Sequence, residues 1–205
     1  MNVLLINASP KTNGNTAIAL QEVQNELEKQ GIETNLVHIG NKDIRGCIAC
    51  NYCSTHGKCV FNDIVNETAP AFEKADALII GSPVYFANPN GTASAFMQRL
   101  FYSTSFDKTM KCGAAVAIAR RGGSSATFDD LNRYFTISGM PIVSSSYWNM
   151  VYGRLPGEAR QDGEGLETMR TLGRNMAFML HAIQDAKEKY GLPEREPHTM
   201  TNFIR

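Results

Sequence analysis

The sequence predicts an α/β fold: a doubly wound sheet of five parallel strands, order 2-1-3-4-5, with helices on both faces. Two observations carry this. Apolar runs of strand length alternate with amphipathic stretches of helix length along most of the chain, and parallel strands need such crossovers between them. The apolar runs are also continuous rather than alternating, as in strands covered on both faces. With no internal repeat and no linker visible, residues 1–190 read as one domain. Residues 191–205, which include two prolines, read as a tail outside the sheet.

The first strand is "NVLLIN". Residues 15 to 30 follow as a helix, with Ile18, Leu20, Val23 and Leu27 at helical spacing and Gly31 as its stop. "ETNLVHI" is the second strand. "NETAPAFEKA" gives a helix, "DALIIGSP" the third strand and "TASAFMQRLFYST" another helix. "CGAAVAIA" is the fourth strand, "ATFDDLNRYFTIS" a helix and "MPIVSS" the fifth strand. A long helix from about Gly163 to Tyr190 closes the series, with Leu166, Met169, Leu172, Met176, Leu180 and Ile183 on one stripe. Its methionines read as core or subunit interface.

A chain of 205 residues can bury one sizeable core. Twenty basic residues balance twenty acidic ones, so no global field attracts nucleic acid or an anionic membrane. Any anion site must be local. No apolar run is long enough to span a bilayer, and "VLLI" is too short for a secretory signal. A cytoplasmic, reducing location is therefore expected. There, cysteines serve metal or redox chemistry more readily than a disulfide framework.

Three loops leave strand ends on the same edge of this sheet. In "SPKTNGNT", Ser9, Thr12, Asn15 and Thr16 offer side-chain donors, Lys11 offers charge and Gly14 permits close approach. A helix N-terminus above a strand end is a standing anion site. The pattern matches neither G-x-G-x-x-G nor the Walker loop, so one terminal phosphate suits it better than a dinucleotide. The alternative is a helix start capped by Asn or Thr. The second loop, "GSPVYFANPNGT", lies at the switch point and presents Tyr85 and Phe86, which suit a flat heteroaromatic ring or else pack into the core. The third, "ARRGGSS", brings Arg120, Arg121 and two glycines.

Between the second strand and its crossover helix, Cys47, Cys50, Cys53 and Cys59 give C-x2-C-x2-C-x5-C. Such short spacings suit a [4Fe–4S] cluster, redox-active thiols or structural zinc. The bacterial ferredoxin run differs, having a three-residue last gap and then proline. His56 within this loop reads as a solvated turn residue. The fifth cysteine, Cys112, reads as a small buried hydrophobe.

The stretches "SPKTNGNT", "GCIACNYCSTHGKC" and "GSPVYFANPNGTASAFMQR", with the later "SSYWNMVYG", resemble the flavodoxin-fold NADPH-dependent FMN reductase family, in particular its iron–sulfur flavoprotein branch. The resemblance covers most of residues 3 to 190. It implies FMN with its phosphate at Ser9, Lys11, Thr12, Asn13, Gly14, Asn15 and Thr16. The ring is implied against Pro83, Val84, Tyr85 and Phe86, with Gly122 and Gly123 near its other end. Tyr147 and Trp148 either wall this pocket or simply pack. The resemblance also favours the cluster at the four cysteines. Relatives often carry paired acids after that motif, and here Ile64 follows Asp63.

The implied activity is an FMN-dependent NAD(P)H oxidoreductase in which the flavin, not a side chain, carries the chemistry. Its partners are a nicotinamide and a small-molecule or protein electron acceptor, with no nucleic acid and no membrane. A homodimer or homotetramer is expected, because the long apolar helix and the loop aromatics exceed what one small sheet needs. The alternatives are a non-catalytic flavodoxin-type electron carrier, which zero net charge disfavours, and a flavin-binding interaction module.

Overall fold

The computed structural model describes residues 1–197 together with 199, 201 and 203. The strands are β1 (Asn2–Asn7), β2 (Glu33–His38), β3 (Ala77–Tyr85), β4 (Asn88–Pro89), β5 (Cys112–Ala119) and β6 (Met150–Tyr152). The helices are α1 (Asn15–Lys29), α2 (Tyr52–His56), α3 (Ile64–Lys74), α4 (Gly91–Ser103), α5 (Ser124–Ile137) and α6 (Gly163–Tyr190), with a 3₁₀ turn at Glu158–Gln161. Of the expected tail, residues 198, 200, 202, 204 and 205 lie outside the described residues, and 191–197 form neither helix nor strand. No helix among the described residues is long and apolar enough to cross a membrane.

The main sheet runs β2-β1-β3-β5-β6, all parallel. This is the predicted order once the two-residue β4, which folds back antiparallel on β3, is set aside. Side chains alternate faces along each strand. Val3 and Leu5 of β1 join Ile79 and Val116 beneath α1 and α6, whereas Leu4 and Ile6 join Leu78 and Ile80 beneath α3, α4 and α5. Both faces are thus covered, which is why these strands are apolar throughout.

One strand departs from expectation. "MPIVSS" forms only an isolated bridge at Ile142, where Gly113 N–H donates to the Pro141 carbonyl and Val143 N–H donates to the Gly113 carbonyl. Pro141 itself has no N–H to extend the ladder. Next, the Ser145 hydroxyl lies 2.6 Å from both the Tyr147 carbonyl and Asn149 Oδ1, and the chain turns out. Pairing resumes when Ala117 N–H donates to the Asn149 carbonyl, and β6 completes the edge.

Candidate functional site

The loops after β1, β3, β5 and β6 meet at the carboxyl edge of the sheet, around the switch point between β1 and β3. Ser9, Lys11, Asn15 and Thr16 of the first loop and Pro83, Val84 and Tyr85 of the second line one cleft of about 240 Å³. Arg120, Gly153 and Arg154 supply more of its wall. Thr12, Asn13, Gly14, Phe86, Gly122 and Gly123 belong to the same loops but do not line the cleft.

The first loop is held from below. Asn7 Oδ1 accepts from Ser9 N–H at 3.0 Å, and Asn7 Nδ2 donates to the Thr12 carbonyl at 3.3 Å. His38 Nε2 lies 2.7 Å from the Ser9 carbonyl, and its Nδ1 lies 3.5 Å from the Thr12 hydroxyl. A carbonyl can only accept, so Nε2 carries a proton, and in the neutral ring Nδ1 accepts from Thr12. Asn90 Nδ2 donates to the Ala8 carbonyl while its Oδ1 caps α4 through Ala93 N–H. The second loop is thereby tied to the first.

Gly14 occupies the N-cap of α1 and makes no side-chain cap bond, so neither Asn nor Thr plays the capping role. The N–H groups of Asn15, Thr16 and Ala17 have no helical partner. By contrast α3, α4 and α6 are capped by Asp63, Asn90 and Asp162. Helix α5, which starts beside the cleft, resembles α1: Gly123 precedes it at φ +90° with no side-chain cap. Thr16 is buried, and its methyl group fills the space that a side chain at Gly81 would need. Its hydroxyl bonds to no described residue. Asn15 lines the cleft and also ties it to a further loop. Its amide donates to the Leu155 carbonyl, and its Oδ1 accepts from Gly157 and Ala159 N–H, so it anchors the loop after β6.

The second loop is a tight hairpin between β3 and β4. Phe86 and Ala87 sit at φ +52° and +59°, in the left-handed region, at a cost on the order of 1 kcal/mol each. Tyr85 is 48% exposed and Phe86 100% exposed, so neither is a core aromatic. Gly123 accepts the hairpin tip, since a Cβ there would lie 2.7 Å from Ala87 Cα. Gly122 faces open space. Tyr147 and Trp148 do not wall the cleft. They meet edge to face at 5.0 Å over a separate pocket with Asp162 and Thr168.

The four clustered cysteines are free thiols lining a second cavity of about 290 Å³ with Ile48, Val60, Phe61, Arg99 and Tyr102. Ala49 and Asn51 adopt left-handed backbone, at φ +53° and +58°, which coils the chain tightly between them. Ala49 N–H lies 3.4 Å from Cys47 Sγ. Asn66 of α3 clamps the far end by accepting from Cys59 N–H and donating to the Cys59 and Phe61 carbonyls. His56 stacks on Tyr52 at 3.8 Å. Among the described residues, no three His, Cys, Asp or Glu side chains are drawn together as one metal ion requires.

Arg99, inside α4, has a fully buried side chain beside this cavity. It pairs with Asp63 through Nη1 at 2.6 Å and Nη2 at 2.9 Å, and its Nε lies 3.2 Å from Cys59 Sγ. Burial disfavours its charge, but the bonds to Asp63 and Cys59 outweigh this and raise its pKa. In the sequence this residue closes the stretch "GSPVYFANPNGTASAFMQR", with no role of its own assigned to it. It reads as one more charge on an amphipathic helix.

The description "NADPH-dependent FMN reductase" belongs to the family model that matches residues 1–154. An iron–sulfur flavoprotein of Methanocaldococcus jannaschii is 34% identical over 192 residues, spanning 90% of this chain and 100% of that one. Another iron–sulfur flavoprotein, from Methanosarcina thermophila, is 27% identical over 194 residues, spanning 92% of this chain and 100% of that one. Among solved structures, RosB with a bound intermediate superposes with a TM-score of 0.74 at 14% identity, covering 100% of this chain and 92% of that one. An NAD(P)H:quinone oxidoreductase from Methanothermobacter marburgensis gives 0.66 at 16% identity, covering 86% of this chain and 96% of that one. At such identities the structural matches speak for the fold alone.

Proposed function

The chain belongs to the NADPH-dependent FMN reductase family, in its iron–sulfur flavoprotein branch, and on that premise we propose an FMN-containing NAD(P)H oxidoreductase that passes electrons from a reduced nicotinamide to a second acceptor by way of the four-cysteine loop. One observation carries the cofactor assignment. The two helices that start beside the cleft, α1 and α5, lack the side-chain caps that three other helices possess. Their free N–H groups fit an anion bound in the cleft.

The FMN phosphate would be held by the N–H groups that open α1, the hydroxyls of Ser9, Thr12 and Thr16, and Lys11. Asn13 and Gly14 contribute backbone, and Asn15 fixes the neighbouring loop. Pro83, Val84, Tyr85 and Phe86, with Gly122 and Gly123, would frame the ring. Bound there, FMN supplies two-electron exchange with a nicotinamide and one-electron exchange with a metal cluster. Arg120 and Arg154 add positive charge suited to phosphates in the cleft. No second nucleotide-binding repeat is visible in the sequence, so the nicotinamide enters and leaves by the open cleft.

Cys47, Cys50, Cys53 and Cys59 would hold a [4Fe–4S] cluster. All four thiols line one cavity of about 290 Å³, which has room for a centre larger than a single ion. N–H groups aimed at two of the sulfurs support it further. Residues 1–190 form the functional unit in this reading, residues 191–205 a tail, and the location is cytoplasmic. The wholly exposed Phe86 favours a homodimer or homotetramer in which a second copy covers the cleft.

Absorption spectra of protein purified without oxygen, before and after NAD(P)H, test this directly. Flavin that binds but is never reduced by either nicotinamide means an electron carrier instead. The phosphate assignment has its own test. Thr16→Val should weaken FMN by about 1–3 kcal/mol, the cost of one lost buried hydrogen bond. Thr12→Val should cost less, because Thr12 is exposed and already engages His38. Titration of apoprotein with FMN checks both, and unchanged affinity in Thr16→Val places the phosphate elsewhere.

A further inference from the structure

We propose that Arg99 is a positioning residue that raises the reduction potential of the cluster through its Nε–H bond to Cys59 Sγ. This rests on the cluster reading above. A guanidinium has five N–H donors in a rigid plane, and all five are used. Nη1 donates to Asp63 Oδ2 and the Arg45 carbonyl, and Nη2 donates to Asp63 Oδ1 and the Phe61 carbonyl. Only Nε–H turns toward a sulfur, at 3.2 Å. The Phe61 ring packs against the guanidinium, 5.1 Å from centroid to Cζ, and holds its plane.

Scaffolding alone does not account for this arrangement. The four bonds to residues 45, 61 and 63 already fasten the end of the cysteine loop to α4. A buried ion pair, moreover, stabilises little beyond what apolar packing of the same volume achieves. What the fifth bond adds is a fixed dipole and a desolvated cation at one ligand sulfur. Hydrogen bonds to sulfur and local net charge are among the quantities that set cluster potentials. Reduction places one more negative charge on the cluster, so a donor aimed at its sulfur favours the reduced form. Asp63 binds the Nη edge of the fork and offsets part of the charge without reaching Nε. The electron balance is simple. One electron enters the cluster, no bond to Arg99 forms or breaks, and the guanidinium keeps its proton in both states.

Two opposite shifts follow. Removing the fixed Nε–H donor together with its charge, in Arg99→Gln, lowers the potential, and Arg99→Lys, which loses the planar donor but keeps a charge, lowers it less. Removing the offsetting charge, in Asp63→Asn, raises it. Asparagine caps a helix about as well as aspartate, so Asp63→Asn preserves the start of α3.

The experiment uses the full chain, reconstituted anaerobically and assayed for iron and sulfide. The cluster is then titrated with dithionite through mediators while its paramagnetic signal is followed. At the potential that half-reduces the wild type, Arg99→Gln should show a reduced-to-oxidised ratio at least tenfold lower, a shift of about 59 mV for one electron. Arg99→Lys should shift the same way by less, and Asp63→Asn the opposite way. Full iron with unmoved potentials in all three overturns the proposal and leaves the cluster reading standing. Wild-type protein without iron overturns the cluster reading and the proposal with it. If variants at position 99 fail to load iron, Asp63→Asn decides: an upward shift supports the role, and an unchanged or lower potential ends it.

Discussion

Replacing Gly40 by alanine should cost FMN at least tenfold in affinity and destabilise the protein by about 1–3 kcal/mol, as overpacking does. Gly40 lies just beyond β2, and the first loop crosses directly over it. A Cβ at this position would overlap the carbonyl groups of Ser9 and Ala8. These obstacles are backbone, so no side-chain rotation relieves them. The Ser9 carbonyl is also the atom that His38 holds, and the Ala8 carbonyl is the one that Asn90 holds. Displacing this segment therefore loosens both ties and moves the donors that follow it. Each kcal/mol lost should lower the melting temperature by about 2–4 °C for a protein of this size. Gly91→Ala is the control, because its Cβ meets nothing within 4 Å. It should leave both readings near wild type. Calorimetric FMN titration and thermal unfolding measure the pair. Wild-type affinity and melting in Gly40→Ala would show that the loop yields without cost and that its position is not what binds FMN.

The sheet was readable in the sequence because burial on both faces forces a recognisable pattern. "NVLLIN" and "CGAAVAIA" coincide with β1 and β5, and the long stripe to Tyr190 coincides with α6. Elements that draw stability from elsewhere were not legible. Helix α2 is a single turn held by the cysteine loop and the Tyr52–His56 stack. The edge expected at "MPIVSS" is broken by a proline and serine side chains, which compete locally with the ladder. The site divides in the same way. Its loops were visible as small, polar and basic residues placed after strands. The residues that hold those loops, among them Asn7, His38, Gly40 and Asn90, act across the fold and follow no period. Asn15 also meets the Leu155 carbonyl, 140 positions away, a partner no local pattern indicates. Arg99 could be recognised only once the fold had buried it against Cys59 and Asp63.

Changing Cys50 or Cys53 to serine should remove the cluster and leave the flavin in place. The soft thiolate is the ligand such clusters require, and a serine hydroxyl stays protonated and hard at neutral pH. Anaerobically reconstituted wild type should carry about four iron and four sulfide per chain, and either variant close to none. FMN should remain bound, because the cysteine cavity and the cleft share no lining residue. NAD(P)H should accordingly still drive reduction of a small two-electron acceptor, while one-electron delivery to a protein acceptor fails. Cys112 supplies the contrast. It is wholly buried in β5, and burial, reinforced by Asp76, pushes its thiol up to about 12, so it stays protonated and inert. Cys112→Ala should therefore keep full iron. Oxygen attacks an exposed cluster, and Cys47 and Cys50 are exposed. Iron must for that reason be counted after reconstitution without oxygen rather than in protein isolated in air. Wild type that still takes up no iron and sulfide under those conditions would make the loop a thiol site, and the chain would then work through its flavin alone.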